Sequence, residues 1–211
     1  MSELSFSVVF ANALRGQPCS VVGLGELPEP LPVHHWTREA DDWDRELLAH
    51  CVGPTLDIGC GPGRLTACLA ERGHVVLGID VVREAVDQTR GRGAVALHRD
   101  VFEALPGEGR WRSALLADGN VGIGGDPVGL LRRVRELLDP RGRIVVELAE
   151  PGTGTKTVWA TLECGADVSR PFRWSVVGVD AIDDVAAQVG LVVRSTHAHG
   201  SRWCAVLEEA A

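Results

Sequence analysis

"LDIGCGPGRL", Leu56 to Leu65, places glycines at alternate positions 59, 61 and 63. The apolar run from Thr55 to Gly59 predicts a short strand. Arg64 to Arg72 carries Leu65, Cys68 and Leu69 on one helical face, and Gly73 supplies the stop. A glycine-rich turn between a strand and a helix exposes main chain to a ligand. Dinucleotides favour G-x-G-x-x-G with pyrophosphate on the helix N-terminus. Gly59 and Gly61 fit that spacing, but its third position is Arg64, and Gly63 falls one residue early. Pro62 also lacks an N–H that a phosphate could use. The spacing therefore argues against a diphosphate.

Outward from this turn, strands and helices alternate. The predicted strands are His74–Asp80, Ala94–Asp100, Arg112–Asp118 and Arg143–Ala149. A helix through Ala85, Val86 and Thr89 follows the first of these. A second opens at Asp126-Pro127 and buries Leu130, Leu131, Val134, Leu137 and Leu138, and Asp139–Gly142 is read as a turn. Continuous Val, Ile and Leu runs between amphipathic helices predict a parallel sheet covered on both faces. After Pro151, Thr155–Glu163 and Arg170–Gly178 read as a hairpin. A turn centred on Ala166-Asp167 sets Trp159 opposite Trp174 and Thr161 opposite Phe172. Asp180–Gly190 reads as a helix, and Leu191–Ala198 with Arg202–Glu209 as a closing hairpin. Before the glycine turn, Pro28–Val33 is an extended linker and Thr37–His50 a helix. Phe6–Gly16 fits helix or strand.

The bulk properties narrow the functions. A chain of 211 residues, 45% hydrophobic, suits one full core with a small cap. A net charge of −8 argues against a duplex-wrapping protein, which draws affinity from Lys and Arg on phosphates. Arg132, Arg133 and Arg135 read as the wet face of a helix. The six cysteines, none paired as CxxC, read as free thiols in a reducing cytosol, so a cytoplasmic location is expected. No apolar run reaches the ~18 residues of a membrane span.

Three predicted strands end in acids: Asp80, Asp100 and Asp118. Asp80 lies about 20 residues past the glycines, where a carboxylate can grip both hydroxyls of a ribose. Acids around a glycine turn suit a nucleoside that carries positive charge. The run LDIGCGPGRLT…HVVLGID…HRDV…LLDPRGRIVVE resembles class I S-adenosylmethionine-dependent methyltransferases over about residues 36–149. The resemblance implies an α/β Rossmann-like fold with a mainly parallel seven-stranded sheet, helices on both faces, an antiparallel C-terminal hairpin and an N-terminal cap. It implies a cap over residues 1–50 and a cofactor domain over 51–211, with an inserted hairpin at about 155–178.

Carried residue by residue, the resemblance puts Gly59, Gly61 and Gly63 beneath S-adenosylmethionine. Asp57 shapes the loop and reaches the methionyl ammonium through water. Asp80 takes the ribose, Val81 packs on adenine, Asp100 meets the adenine amino group and the Val101 N–H a ring nitrogen. Asp118 and Gly119 line the methionyl side. Trp36 and Arg38 come from the N-terminal helix, Arg38 pairing with the cofactor carboxylate. The stretch Ala117–Pro127 (ADGNVGIGGDP) resembles a group of actinobacterial methyltransferases. It stands where enzymes that methylate exocyclic base amines carry (D/N)PP(Y/F), so that substrate class loses ground.

Methyl transfer depends mainly on alignment of acceptor and methyl, so an obvious general base is not required. His34, His35, Glu147 and Glu150 are the candidate bases, with His35 and Glu147 carried as catalytic candidates. His34 and His35 also read as solvated linker residues, and Glu147 equally as a structural hydrogen-bonding group. His197 and His199 form HxH without a recognisable third ligand, so no metal is expected. Trp159 and Trp174 read as a packing pair or as the floor of a flat substrate's pocket. The leading expectation is methylation of a small molecule on O, N or C by a monomer or homodimer, without nucleic acid or membrane. The alternatives are RNA or protein methylation, and a non-catalytic S-adenosylmethionine-binding regulatory subunit. A nicotinamide oxidoreductase fits worst because of the glycine spacing.

Overall fold

The computed structural model describes residues 3–210. Among the described residues, seven helices and twelve strands follow in chain order: α1 (Phe6–Leu14), β1 (Cys19–Val22), β2 (Glu29–Pro30), α2 (Val33–Thr37), α3 (Asp42–Leu48), β3 (Thr55–Ile58), α4 (Arg64–Glu71), β4 (Val76–Asp80), α5 (Arg83–Gly91), β5 (Ala96–His98), β6 (Trp111–Leu116), α6 (Pro127–Leu137), β7 (Leu138–Leu148), β8 (Thr155–Cys164), β9 (Asp167–Val168), β10 (Phe172–Val177), α7 (Ile182–Ala187), β11 (Leu191–His199) and β12 (Arg202–Glu209). A 3₁₀ turn at Asn120–Gly122 lies between β6 and α6.

The main sheet has the order β11-β12-β7-β6-β3-β4-β5. Pairings from β7 to β5 are parallel, and β12 is antiparallel to both of its neighbours. Burial on both faces explains the unbroken apolar strands. Ala114, Leu116, Ile144 and Val146 pack with Leu130, Leu131 and Val134 of α6. The intervening Leu115 and Val145 pack on the other face with Leu47 of α3 and Leu65 and Leu69 of α4. Alternate residues of one strand thus serve two cores.

A second, antiparallel sheet has the order β10-β8-β1-β2, with β9 also paired to β8. Here the N-terminal segment and the segment after β7 join: Cys19–Val22 pairs with Thr161–Cys164. Val9 and Ala13 of α1 pack on the face formed by Val21, Ala160 and Leu162. The segment 6–16, open between helix and strand by sequence, is α1.

Leu138, expected in the helix, and the turn expected at Asp139–Gly142 belong to β7, and four further expectations are corrected. The helix expected over Thr37–His50 is instead the short α2 and the separate α3. Asp41 starts α3 by accepting from the Asp44 N–H at 2.8 Å, and Asp44 answers by accepting from the Asp41 N–H at 3.0 Å.

The tryptophan pairing is also corrected: Trp159 lies opposite Arg173, and Trp174 opposite Val158. The turn is at Gly165-Ala166, since Cys164 pairs with Asp167. The register then shifts by one residue across Arg170-Pro171, because Pro171 has no N–H for the ladder. A one-residue shift moves a side chain to the opposite face. Trp159 is accordingly 65% exposed and faces away from Trp174.

Third, Cys19 and Cys164 are directly opposed and form a disulfide across a sequence separation of 145. The expectation of six free thiols fails because so distant a pairing leaves no local spacing signal. Cys51, Cys60, Cys68 and Cys204 are free and buried.

Fourth, Arg133 is not simply a wet-face residue: it donates to the Val101 and Glu103 carbonyls and to Glu108. No helix among the described residues is long and apolar enough to cross a membrane.

Candidate functional site

The parallel strands deliver the loop after β3, the end of β4, and the segments after β5 and β6 to one rim of the main sheet. These border a cavity of about 910 Å³. The opposite wall comes from α1, α2 and the inner face of the second sheet. Crevices beyond the carboxyl ends of parallel strands are the usual ligand sites of open α/β sheets.

The glycine loop is held from behind. Gly59 and Cys60 donate backbone N–H groups to the Ile79 carbonyl at 2.9 and 3.0 Å. Asn120 Nδ2 donates to the carbonyls of Ile58 and Gly59, both at 2.9 Å. Thr89 Oγ1 donates to the Gly61 carbonyl at 2.9 Å, and the Gly61 N–H donates to Asp80 Oδ2 at 2.9 Å. Gly61 and Gly63 both adopt left-handed backbone, at φ +54° and +85°. Their surroundings differ. A Cβ at Gly63 would stand 2.7 Å from the Thr89 Cα, whereas one at Gly61 would meet nothing within 4 Å. Gly63 is required for loop-to-helix packing, and Gly61 faces open cavity.

Four acids line this rim. Asp57 is buried, accepts from Thr66 Oγ1 at 2.6 Å, and has its pKa pushed up to about 7, mainly by burial. Asp80 accepts from Gly61 and, through Oδ1, from the Val82 N–H at 2.8 Å. Asp100 caps its own turn by accepting from the Phe102 N–H at 3.0 Å. Asp118, in left-handed backbone at φ +50°, accepts from Arg64 Nη2 at 2.6 Å.

Arg64 belongs to a charge cluster that joins the rim to α3 and β12. Its side chain is 3% exposed and contacts both Asp118 and Asp44. Asp44 is fully buried and also receives Arg38 at 2.6 Å and Arg202 at 3.1 Å. Burial alone would raise the Asp44 pKa. Hydrogen bonds from Arg64, the Asp41 N–H and Arg38 outweigh that and hold its carboxyl well below the ordinary range. Arg202 grips Glu147 through Nε at 2.6 Å and Nη2 at 3.1 Å, and Glu147 accepts from the Asp118 N–H at 2.9 Å. Asp44, Asp118 and Glu147, with Asp41 on Arg38, thus interlock with Arg38, Arg64 and Arg202 in one cluster.

The structure brings Trp36, Asp57, Gly59, Gly61, Asp80, Val81, Asp100, Val101 and Asp118 to the cavity. Gly63 stands behind it as the N-cap of α4. The remaining expected residues lie elsewhere. Arg38 does not line the cavity, because the break before α3 turns its guanidinium onto Asp41 and Asp44. His35 is exposed, tilted against His34 with ring centroids 4.1 Å apart, and does not line the cavity. Glu147 is committed to Arg202, so its structural role replaces the base considered from sequence. Gly119 and Glu147 border a separate pocket of about 230 Å³. His197 bonds Ser195 and stacks on His50, and no cluster able to hold a metal occurs among the described residues.

Arg64 and Asn120 are functional residues that local sequence does not mark: Arg64 shows there only as the break in the dinucleotide spacing, and Asn120 lies in a glycine-rich loop with its partners about 60 residues away.

A glycine loop, acids at consecutive strand ends, and antiparallel β12 set between β7 and β11 define the Rossmann-like fold of class I methyltransferases. Residues 55–142 match the family model described as a methyltransferase domain. The chain also matches an uncharacterized protein of Mycobacterium tuberculosis at 32% identity over 118 residues. That match covers 56% of this chain and only 38% of the relative. Among solved structures, the chain superposes with a TM-score of 0.81 on an S-adenosylmethionine-dependent methyltransferase of Bacteroides fragilis in complex with S-adenosylhomocysteine. The identity is 21%, and the overlap covers 97% of this chain and 94% of that one. It superposes at 0.63 on the 1,6-didemethyltoxoflavin-N1-methyltransferase of Burkholderia thailandensis, at 21% identity, covering 84% and 81% of the two chains. At such identities the superpositions establish the fold.

Proposed function

We propose that this protein transfers the methyl group of S-adenosylmethionine to a small-molecule acceptor. The observation that carries this reading is the conjunction of the Gly61 opening with Asp80, Asp100 and Asp118 around one covered cavity. The solved relatives with the same fold include enzymes bound to S-adenosylhomocysteine, which supports the choice of cofactor.

The donor set fits that cofactor. Asp80 would hold the ribose hydroxyls, with Val81 against adenine. Asp100 would take the adenine amino group and the Val101 N–H a ring nitrogen. Gly61 leaves room for the nucleoside, Gly59 admits the Asn120 side chain that braces the loop, and Gly63 keeps the loop against Thr89. Asp57 and Asp118 supply negative charge at the methionyl end. Bound there, S-adenosylmethionine supplies an electrophilic methyl on a cationic sulfur.

The chain's own contribution is alignment and exclusion of water. Holding two reactants in line can supply roughly 7–11 kcal/mol of the barrier reduction. The second sheet, α1 and α2 form the cover that would do this. The cover also favours a small acceptor over RNA or a protein segment.

The direct test is incubation with methyl-labelled S-adenosylmethionine and an extract of the source cell, followed by mass spectrometry. Label in a small molecule supports the reading. Label confined to RNA or protein contradicts it.

A further inference from the structure

The cavity lies near the upper end of the range for small-ligand sites, about 300–1,000 Å³. The strand-end rim accounts for a nucleoside. The opposite wall has a different chemistry. All four phenylalanines of the chain line the cavity, together with two of its six tryptophans. They are Phe6 and Phe10 of α1, Trp36 of α2, Phe102 after β5, and Phe172 and Trp174 of β10.

Five of these rings form a run of contacts or share one strand face. Phe6 stacks on Phe10 at 5.3 Å and meets Phe172 edge-on at 4.9 Å, while Phe10 lies 5.5 Å from Trp36. Phe172 and Trp174 project from the same face of β10. None of the six closes fully into a core. Five are half-buried, and Phe102 is 51% exposed. A packing role alone would have buried them, as it does Trp43 on α3.

The ionisable groups of the cavity narrow the ligand further. Among the described residues no histidine or lysine lines it. Asp57, Asp80, Asp100 and Asp118 are engaged by Thr66, Gly61 and Val82, Phe102, and Arg64 respectively. Burial pushes the Cys60 thiol far up, so it stays protonated. Glu29, Arg99 and Arg173 are exposed at the rim. An aliphatic alcohol, which needs a strong buried base, finds none. A charged group within the aromatic wall would be desolvated without a partner.

We propose that the acceptor is a planar aromatic molecule seated on the Phe6–Phe10–Trp36–Phe172–Trp174 wall, methylated on an acidic ring O–H or N–H. This rests on the methyltransferase reading. The acceptor's heteroatom bonds the methyl carbon as its proton passes to water at the mouth, so no free anion stands in the wall, and the carbon–sulfur bond breaks with its electron pair retained by sulfur.

The experiment titrates the full chain, saturated with S-adenosylhomocysteine, with 2-naphthol and with its saturated counterpart decahydro-2-naphthol. We expect 2-naphthol to bind at least tenfold more tightly. Phe172→Leu and Trp174→Leu keep apolar bulk but remove the ring, and each should weaken 2-naphthol about three- to tenfold. S-adenosylhomocysteine affinity should stay within twofold in both variants, which shows that they fold. Equal binding of the two naphthols, or no effect of either substitution, would overturn the proposal. Failure of S-adenosylhomocysteine itself to bind would instead overturn the cofactor reading, and this proposal with it.

Discussion

Asp80 Oδ2 accepts a hydrogen bond from the Gly61 N–H at 2.9 Å, tying the end of β4 to the middle of the glycine loop. One carboxylate therefore both shapes the loop and stands at its ligand face. Asp80→Ala should weaken S-adenosylmethionine binding at least 100-fold by calorimetry, since hydrogen bonds to charged groups are worth about 1.5–3 kcal/mol each. Asp80→Asn retains an acceptor and should lose less.

Gly61 and Gly63 should respond differently to alanine. Both are left-handed, which costs an L-residue about 1–2 kcal/mol. Gly63→Ala also drives a Cβ onto the Thr89 backbone, so thermal unfolding should show the larger loss of stability. Gly61→Ala meets no protein atom and should cost only the backbone term. Its Cβ enters the cavity, and its main defect should appear as lost cofactor affinity.

Asp57 gives a dependence on pH with a defined sign. Its folded-state pKa of about 7 lies above the ordinary 3.8. The unfolded chain therefore ionises first, and this group's contribution to stability is lost as pH rises from about 4 to 7. At about 1.4 kcal/mol per unit over roughly three units, the loss is at most about 4–5 kcal/mol. Asp57→Asn should remove that slope in denaturation curves taken at several pH values. A cofactor ammonium beside Asp57 favours the ionised form, so wild-type affinity should rise from pH 6 to pH 8 with proton release. Titration calorimetry in buffers of different ionisation enthalpy measures that release.

The buried cluster should be costly to break. Asp44→Ala leaves Arg38, Arg64 and Arg202 short of a shared partner, and removing one member of a buried pair costs about 3–5 kcal/mol. The Asp44 carboxyl is held below its ordinary range, so its stabilisation is complete above about pH 4 and fades on further acidification. The melting temperatures of wild type and Asp44→Ala should therefore converge at low pH.

Legibility in the sequence follows the range of the interactions. The main sheet was readable because each strand and helix announces itself within about ten residues, as in Thr55–Gly59 and Asp126-Pro127. The acids at its rim followed from the same pattern. How the N-terminal segment and the hairpin after β7 join in one sheet was not readable. The pairing of Cys19 with Cys164 joins segments that share no local signal. The hairpin register depended on a shift at Arg170-Pro171, and one residue there moved Trp159 from the face expected to carry Trp174 to the opposite, exposed face. Arg38 was misplaced because the Asp41–Asp44 capping box ends one helix and begins another. Arg64 was visible only as a departure from the dinucleotide spacing, yet its partners at 44 and 118 give it a structural role.

Whether the Gly61 opening and the neighbouring acids hold S-adenosylmethionine is decided by isothermal titration of wild type and Asp80→Ala with S-adenosylhomocysteine, with NAD as the competing ligand class. The expected result is one site per chain for S-adenosylhomocysteine, lost in Asp80→Ala, and no binding of NAD. Wild-type binding of NAD in place of S-adenosylhomocysteine, or S-adenosylhomocysteine affinity unchanged by Asp80→Ala, would contradict it.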